Sequence, residues 1–208
     1  MKLLFTYVLI PCCLLLSTSN MEIKQEYDLD WKLKKEENGI KVFTRGIANS
    51  NLKELKINLT LESTSLFKVL DVLNNVSSYK DWVFKCIESR EISVLNEKEI
   101  VSYYKFDFPW PLSDRDIYMK AHTEITPDHK SAVITTSVLP TYGDKEEGVV
   151  RVEDHLNSWE LHEIGDQVEL TYYLKSNPGG KIPDWVVNLA IDTGPTNTLT
   201  NLRGLIQQ

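Results

Sequence analysis

The corner Phe108–Asp116 constrains this sequence most, because it joins two segments with the periodicity of strands. Side chains alternate between the two sides in Glu99–Phe108 and again in Asp116–Ile125, which is typical of β-strands. The two prolines around Trp110 cannot donate ladder hydrogen bonds, so the chain must turn here. A serine and an aspartate then supply turn chemistry. The sequence therefore predicts an organising corner between paired strands of an antiparallel sheet.

The alternation also predicts which side of these two strands faces the interior. Ser102, Tyr104 and Phe106 share one side of the first strand, and Met119 and Ala121 share one side of the second. Successive side chains of a strand point to opposite faces of a sheet. These are the more apolar sides, so we expect them to face inward.

The rest of the chain extends this pattern into a single α+β domain. Glu22–Glu37 is charged with scattered apolar residues and predicts a helix against the sheet, ended by Asn38-Gly39. A second helix is predicted to begin at Ser63 or Ser65, because either can cap the apolar spacing that follows. The further strands are predicted at Ile40–Arg45, Leu52–Glu62, Lys85–Leu95, Ala132–Leu139, Val149–Leu161 and Val168–Ser176.

The last predicted element is a helix from Pro183 to about Ile206. Gly194-Pro195 interrupts it, and a proline inside a helix kinks or breaks the hydrogen-bond ladder. Both a hinge and a static kink are open at this point. The helix is predicted to present one apolar stripe, made of Trp185, Val186, Leu189, Ala190, Leu199, Leu202 and Ile206.

Charge and motifs argue against several classes of function. The formal net charge is −7 and no run of lysine or arginine is present, so we expect no nucleic-acid partner. Asn177–Lys181 superficially resembles a phosphate loop, but Ile182 stands where serine or threonine is required. The four histidines lack metal-ligand spacing. We therefore predict no catalytic residues, no metal and no cofactor.

The first residues have the pattern of a secretory signal. Met1-Lys2 precedes the apolar segment Leu3–Leu16, which is too short to span a membrane, and small residues follow. We expect a signal peptide over residues 1–20, a domain over residues 21–208, and export to the periplasm or the extracellular space. An uncleaved N-terminal membrane anchor is the alternative. After cleavage Cys86 would be the one remaining cysteine, so no internal disulfide is expected.

Two motifs carry a resemblance to a known family. The run Pro-Leu-Ser-Asp-Arg-Asp at 111–116 and the block Ser176–Asn188 resemble, in this order, motifs of the START domain, a lipid-transfer module. The likeness extends from about Trp31 to the end, and within the family it is greatest to the phosphatidylcholine-transfer-protein-like members. It implies the helix-grip fold, a curved antiparallel sheet wrapped around a long C-terminal helix with an internal hydrophobic cavity.

The resemblance also implies a function without enzymatic activity, which is binding or transfer of one lipid in a tunnel. We expect residues 140–148 and the C-terminal helix to gate this tunnel. The expected partners are the lipid and, transiently, a membrane, and we expect a monomer. The side chains expected to contact the lipid are Trp82, Ser102, Tyr104, Phe106, Met119, Ala121, Tyr142, Trp159, Tyr172, Trp185 and Leu189.

Alternatives stay open beside this interpretation. A cyclase or aromatase of the same superfamily would need an inward acid or base, and the two strands at the corner offer none. An exported structural protein would have a filled core instead of a cavity. Sterol-carrying members place a charged pair where Ser102 and Ala121 stand, which disfavours a sterol ligand.

The structural corner is assigned to Trp110, Asp114, Arg115 and Asp116, with the arginine pairing with one of the two aspartates.

Overall fold

Ten strands form one curved, open sheet in the computed structural model, which describes residues 30–207. The strands are β1 (Lys32–Glu37), β2 (Ile40–Gly46), β3 (Lys53–Leu61), β4 (Cys86–Asn96), β5 (Glu99–Phe106), β6 (Arg115–Ile125), β7 (Ser131–Val138), β8 (Val150–Arg151), β9 (Asp154–Ile164) and β10 (Gln167–Asn177). Neighbouring strands run antiparallel in the order β1-β2-β3-β10-β9-β7-β6-β5-β4, and β8 pairs in parallel with the start of β6.

Within residues 30–207, four helices accompany the sheet. They are α1 (Leu66–Asn74), α2 (Tyr79–Trp82), α3 (Asp184–Ala190) and α4 (Thr193–Ile206), with a short 3-10 turn at Val76–Ser78. Of the two serines predicted as caps, Ser65 begins α1, since its hydroxyl accepts a hydrogen bond from the Lys68 amide.

The core lies between the concave face of the sheet and the helices. Leu199, Leu202 and Ile206 of α4 are almost completely buried, as are Leu55 of β3 and Leu170 of β10. Full burial of such a side chain stabilises the fold by roughly 1.5–3 kcal/mol. This burial fixes α4 against the β3–β10 half of the sheet.

The predicted pair of strands at the corner is confirmed. β5 and β6 run antiparallel, with Ser102 opposite Met119 and Phe106 opposite Arg115. Ser102 and Met119 are buried on the concave side, as the alternation predicted.

The predicted first helix is wrong for the part that the structure describes. Lys32–Glu37 is an edge strand that pairs with β2 instead. Asn38 and Gly39 both have positive φ, which is the geometry of a tight hairpin turn and not of a helix end. Residues 1–29 lie outside the described residues, and with them the predicted signal peptide and the start of this helix.

The predicted C-terminal helix is two helices. α3 ends at Ala190 and α4 begins at Thr193, so the break lies before Gly194-Pro195. Pro195 falls in the first turn of α4, where backbone amides have no partner within the helix and a proline costs little. The predicted stripe divides as well, because Trp185 of α3 is exposed.

The predicted strand Val149–Leu161 is also divided, into β8 and β9. The amides of Val150 and Val152 donate to the carbonyl oxygens of Asp114 and Asp116, which draws this stretch to the start of β6 before the chain crosses to β7. Among residues 30–207, no helix is long and apolar enough to cross a membrane.

Candidate functional site: a cavity on the concave face

A cavity of about 60 Å³ lies between the middle of the sheet and the stretch that joins α1 to α2. Strands β5, β6, β7 and β9 form its floor. Most of its walls are buried, and exposed residues occur where it is bordered by Asn74 and Lys98. The lining residues are Leu73, Asn74, Val76, Tyr79, Lys98, Ile100, Ser102, Tyr104, Met119, Ala121, Thr123, Ile134, Thr136, Asn157 and Trp159.

Eight of the side chains predicted to face a lipid lie in or beside this cavity. Ser102, Tyr104, Met119, Ala121 and Trp159 line it. The other three form the layer behind the walls. The Trp82 ring lies 4.8 Å from that of Tyr79, the Tyr172 ring lies 4.5 Å from that of Trp159, and Phe106 packs beside the second buried cluster.

Three predicted residues lie elsewhere. The Tyr142 ring packs 5.2 Å from the ring of Tyr118, whose side chain points to the convex face of the sheet. Trp185 and Leu189 are 69% and 70% exposed on α3. The structure therefore does not bring these three together with the cavity.

One wall of the cavity is polar. Asn157 is 7% exposed, and its side-chain amide donates to Nε2 of His155 at 3.1 Å. Nδ1 of His155 lies 2.9 Å from the hydroxyl of Ser176. Burial lowers the pKa of His155 to about 4, so the ring is neutral at neutral pH and can accept this bond. Among the described residues, Oδ1 of Asn157 has no hydrogen-bond partner.

The aromatic wall carries neutral hydroxyls. The rings of Tyr79 and Tyr104 stack at 5.3 Å, and the Tyr79 hydroxyl donates to the carbonyl oxygen of Leu73 at 2.6 Å. Burial raises the pKa of Tyr79 and of Tyr104, so neither is charged at neutral pH. Apart from Lys98 at its exposed border, the cavity therefore combines an apolar floor with uncharged hydrogen-bonding groups.

The corner is held differently from the prediction. Arg115 is buried, but its guanidinium donates to the carbonyl oxygens of Ser113, Pro178 and Gly179, and to neither of the two neighbouring aspartates. The predicted pairing with Asp114 or Asp116 is therefore wrong. Arg115 instead joins the corner to the loop that leads into α3, and its guanidinium lies 4.2 Å from the centre of the Phe108 ring. The remaining corner residue, Trp110, is 92% exposed.

Asp116 pairs with Arg151, which sequence reasoning missed. The bond is bidentate at 2.8 and 2.9 Å, and both side chains are almost fully buried. Arg151 also donates to the carbonyl oxygens of Pro140, Tyr142 and Asp144, at 3.4, 2.9 and 2.9 Å. The loop at 140–148 is thus fastened to the sheet by one buried arginine.

A scan against protein-family models matches the START domain over residues 20–207. The chain belongs to the START domain family. An uncharacterised protein of Pseudomonas aeruginosa is 31% identical over 180 residues, which cover 86% of this chain and 88% of that protein. Phosphatidylcholine transfer protein of Mus musculus is 29% identical over 181 residues, which cover 83% of this chain and 82% of that protein.

A solved structure shares the fold. The crystal structure of a STAR-related lipid transfer protein fragment from Xanthomonas axonopodis has a TM-score of 0.80 and 29% identity, covering 86% of this chain and 99% of that one. The open curved sheet with its C-terminal helix is thus the helix-grip fold of START domains, as predicted. The predicted likeness to phosphatidylcholine-transfer-protein-like members is also confirmed.

Several residues of this START cavity were missed because only two strands were assigned an inner face. The same alternation in β7 and β9 would have placed Ile134, Thr136 and Asn157 on the concave side. No comparable signal exists for Val76 and Tyr79, since they reach the cavity from the turns after α1. Within residues 30–207, no group of histidine, cysteine or carboxylate side chains could hold a metal ion.

Proposed function

We propose that this START domain binds one lipid on the concave face of its sheet and carries it between membranes. The observation that supports this most is the buried, partnerless Oδ1 of Asn157 on the wall of an otherwise largely apolar cavity. A buried acceptor without a partner costs about 1–3 kcal/mol, and a ligand that donates to it removes this cost. The relatives named as lipid transfer proteins support the same conclusion.

The ligand class follows from the chemistry of the walls. Burying a lipid chain stabilises the complex by about 0.8 kcal/mol per CH₂ group, so the apolar floor provides affinity. The carboxamide of Asn157, beside neutral His155, then orients the polar end. Lys98 lies at the exposed border, and the buried part of the wall is uncharged. An acceptor there favours a lipid whose polar end carries a hydroxyl or an amide N–H over an anionic head group.

Lipid uptake requires the walls to move apart. The cavity measures about 60 Å³, whereas ligand pockets typically measure roughly 300–1,000 Å³. The loop at 140–148 is held by three bonds from buried Arg151, which argues against the loop as a gate. In contrast, α3 has no buried side chain. Weakly packed elements are the ones that open, so we place the gate at α3.

An enzymatic role in the same fold is less well supported. A cyclase needs a general acid or base that reaches its substrate. Within the described part of the chain, the residues that line the cavity include no aspartate, glutamate or histidine, and their one lysine, Lys98, is exposed.

Replacing Asn157 with leucine tests the polar anchor. We expect the variant to lose about tenfold in its preference for a ceramide over a diacylphosphatidylcholine, because the acceptor for the ceramide hydroxyl is gone. The measurement is competitive extraction from mixed vesicles, read by mass spectrometry of the isolated protein. Ser158→Ala is the matched control, since Ser158 is the next residue on the same strand and points to the other face.

The outcomes separate the anchor from the function. An unchanged preference in Asn157→Leu would show that Asn157 does not contact the lipid. If the wild-type protein extracts no lipid from any vesicle, the proposed function itself fails.

We further propose that the protein is exported and acts as a monomer in transient contact with membranes. The pattern of residues 1–20 supports export. The mature chain is expected to begin at Asn20 or Met21, which N-terminal sequencing of the secreted or periplasmic fraction would show. A membrane-bound chain that retains Met1 would contradict this prediction and favour an N-terminal anchor.

A further inference from the structure

Two lysines of the edge strand β1 hold the junction between α3 and α4. Nζ of Lys34 lies 2.5 Å from Oδ1 of Asp192 and 3.3 Å from the carbonyl oxygen of Leu189, and Nζ of Lys35 lies 3.4 Å from Oδ2 of Asp192. Asp192 is only 6% exposed. Burial alone would raise its pKa, but the Lys34 bond and charge outweigh burial and lower it. The carboxylate therefore depends on these two partners.

Little else holds α3 to the sheet. Its side chains are half-buried or exposed. The side chain of Asn188 bridges to the chain between β2 and β3: its Oδ1 accepts from the backbone amide of Lys53 at 3.0 Å, and its Nδ2 donates to the carbonyl oxygen of Asn51 at 2.7 Å. The β1 contacts are at the opposite end of this short helix from the Arg115 corner. Release of both Asp192 and the Leu189 carbonyl oxygen from Lys34 would therefore leave α3 attached by Asn188, its half-buried valines and its two ends.

The outer face of α3 is apolar and bordered by lysines. Trp185 and Leu189 stand one turn apart on the same side of the helix, and both are about two-thirds exposed or more. Lys34 and Lys35 keep 31% and 36% of their side chains exposed beside it. Exposed tryptophan and leucine beside lysines are typical of surfaces that insert into the interface of an anionic membrane.

We propose that α3 and the β1 edge form one docking surface for an anionic membrane, and that Lys34 and Lys35 keep α3 closed through Asp192 until lipid phosphates replace that carboxylate. This inference rests on the lipid-transfer function proposed above and specifies how opening of the gate is regulated. The occupant is a bilayer carrying negative charge, because the lysines remain accessible to phosphate groups while Asp192 does not.

The proposal explains why an acidic protein would place lysines here. With a net charge of −7 the chain is repelled on average by an anionic surface, so only a local basic patch can orient its approach. Once the lysines bind phosphates, Asp192 is left as a buried charge without partners, which is strongly unfavourable. Contact with the membrane thereby frees α3, the element proposed above as the gate.

A simpler role for these lysines exists. Edge strands carry lysines to prevent pairing with other chains, and β1 is an edge strand. In that case the bonds to Asp192 would be incidental, and removing them would not affect lipid exchange.

The test compares Asp192→Asn with the double variant Lys34→Gln/Lys35→Gln. Lys41→Gln is the matched control, because Lys41 lies on the adjacent strand in an exposed pair with Glu36 at 3.8 Å. The probe is an NBD-labelled ceramide, and its exchange is followed with vesicles of phosphatidylcholine alone and with vesicles containing one-fifth phosphatidylserine.

We expect wild-type exchange to be faster with phosphatidylserine present. Asp192→Asn and the double variant are the two latch variants, because each breaks the contact between the lysines and residue 192. On neutral vesicles both should exchange the labelled ceramide about tenfold faster than wild type, since their junction between α3 and α4 is already released. On charged vesicles the double variant should bind about fivefold more weakly for each lysine removed, whereas Asp192→Asn should bind normally. Lys41→Gln should behave as wild type on neutral vesicles.

Two results of the lipid-exchange experiment would overturn the proposal. If both latch variants match wild type on neutral vesicles, the lysines do not hold α3, even if the double variant binds charged vesicles poorly. If phosphatidylserine has no effect on wild type, the surface does not recognise anionic membranes.

Hydrogen exchange of the α3 amides provides a readout that needs no lipid transfer. The proposal requires faster exchange in Asp192→Asn and in the double variant than in wild type or Lys41→Gln, and unchanged rates would overturn it. If the ceramide probe never exchanges while these amide rates respond as expected, the proposed lipid-transfer function is wrong, but the lysines still hold α3 through Asp192.

Discussion

Replacing Arg151 with alanine is expected to lower the free energy of unfolding by about 3–5 kcal/mol. The change leaves the Asp116 carboxylate buried without its bidentate partner. It also removes the donors for three carbonyl oxygens of the loop at 140–148. Urea denaturation followed by circular dichroism measures the loss.

Lys145→Ala is the matched control for this prediction. Lys145 lies in the same loop and its Nζ is 2.8 Å from Oε1 of Glu153, but both side chains are at least 60% exposed. Exposed pairs contribute at most about 1 kcal/mol, so this variant should be nearly as stable as wild type. Equal stability of the two variants would show that the buried pair does not hold the loop.

Replacing Met119 with arginine is expected to abolish lipid binding and to lower stability by several kcal/mol. Met119 is 8% exposed and lies on the cavity floor opposite Ser102. A guanidinium there finds no carboxylate among the lining residues that belong to the described range 30–207. Lipid content by mass spectrometry and urea denaturation measure the two effects.

The adjacent outward position supplies the control. Lys120 is half-buried at 38% side-chain exposure and pairs with Glu99 at 3.1 Å, so Lys120→Arg should keep both lipid and stability. A Met119→Arg protein that retains wild-type lipid would place the ligand away from this floor.

The sequence predicted most strands and the inner face of the corner because both follow from local alternation. It failed at the N-terminal hairpin, where Lys32–Glu37 has the composition of an exposed helix. Its charged side chains suit an edge strand equally well, and only pairing with β2 decides between the two. The Asn38-Gly39 turn was the available signal for a hairpin.

The parts of the site that could not be predicted depend on residues far apart in sequence. Arg151 meets Asp116 across 35 positions, and Lys34 meets Asp192 across 158. Arg115 at the corner has an aspartate on either side in the sequence, yet in the fold Asp116 pairs with Arg151. The partnerless oxygen of Asn157 is likewise a property of the assembled wall, since no local pattern shows which buried group lacks a donor.

Native mass spectrometry of the protein purified from its own host tests the central claim most directly. The account predicts the mass of the chain plus one lipid, released by solvent extraction, with a hydroxyl or amide N–H at its polar end. The same purification of Met119→Arg should give the chain mass alone. A wild-type protein that carries no lipid, and takes up none from vesicles of its host's lipids, would contradict the account.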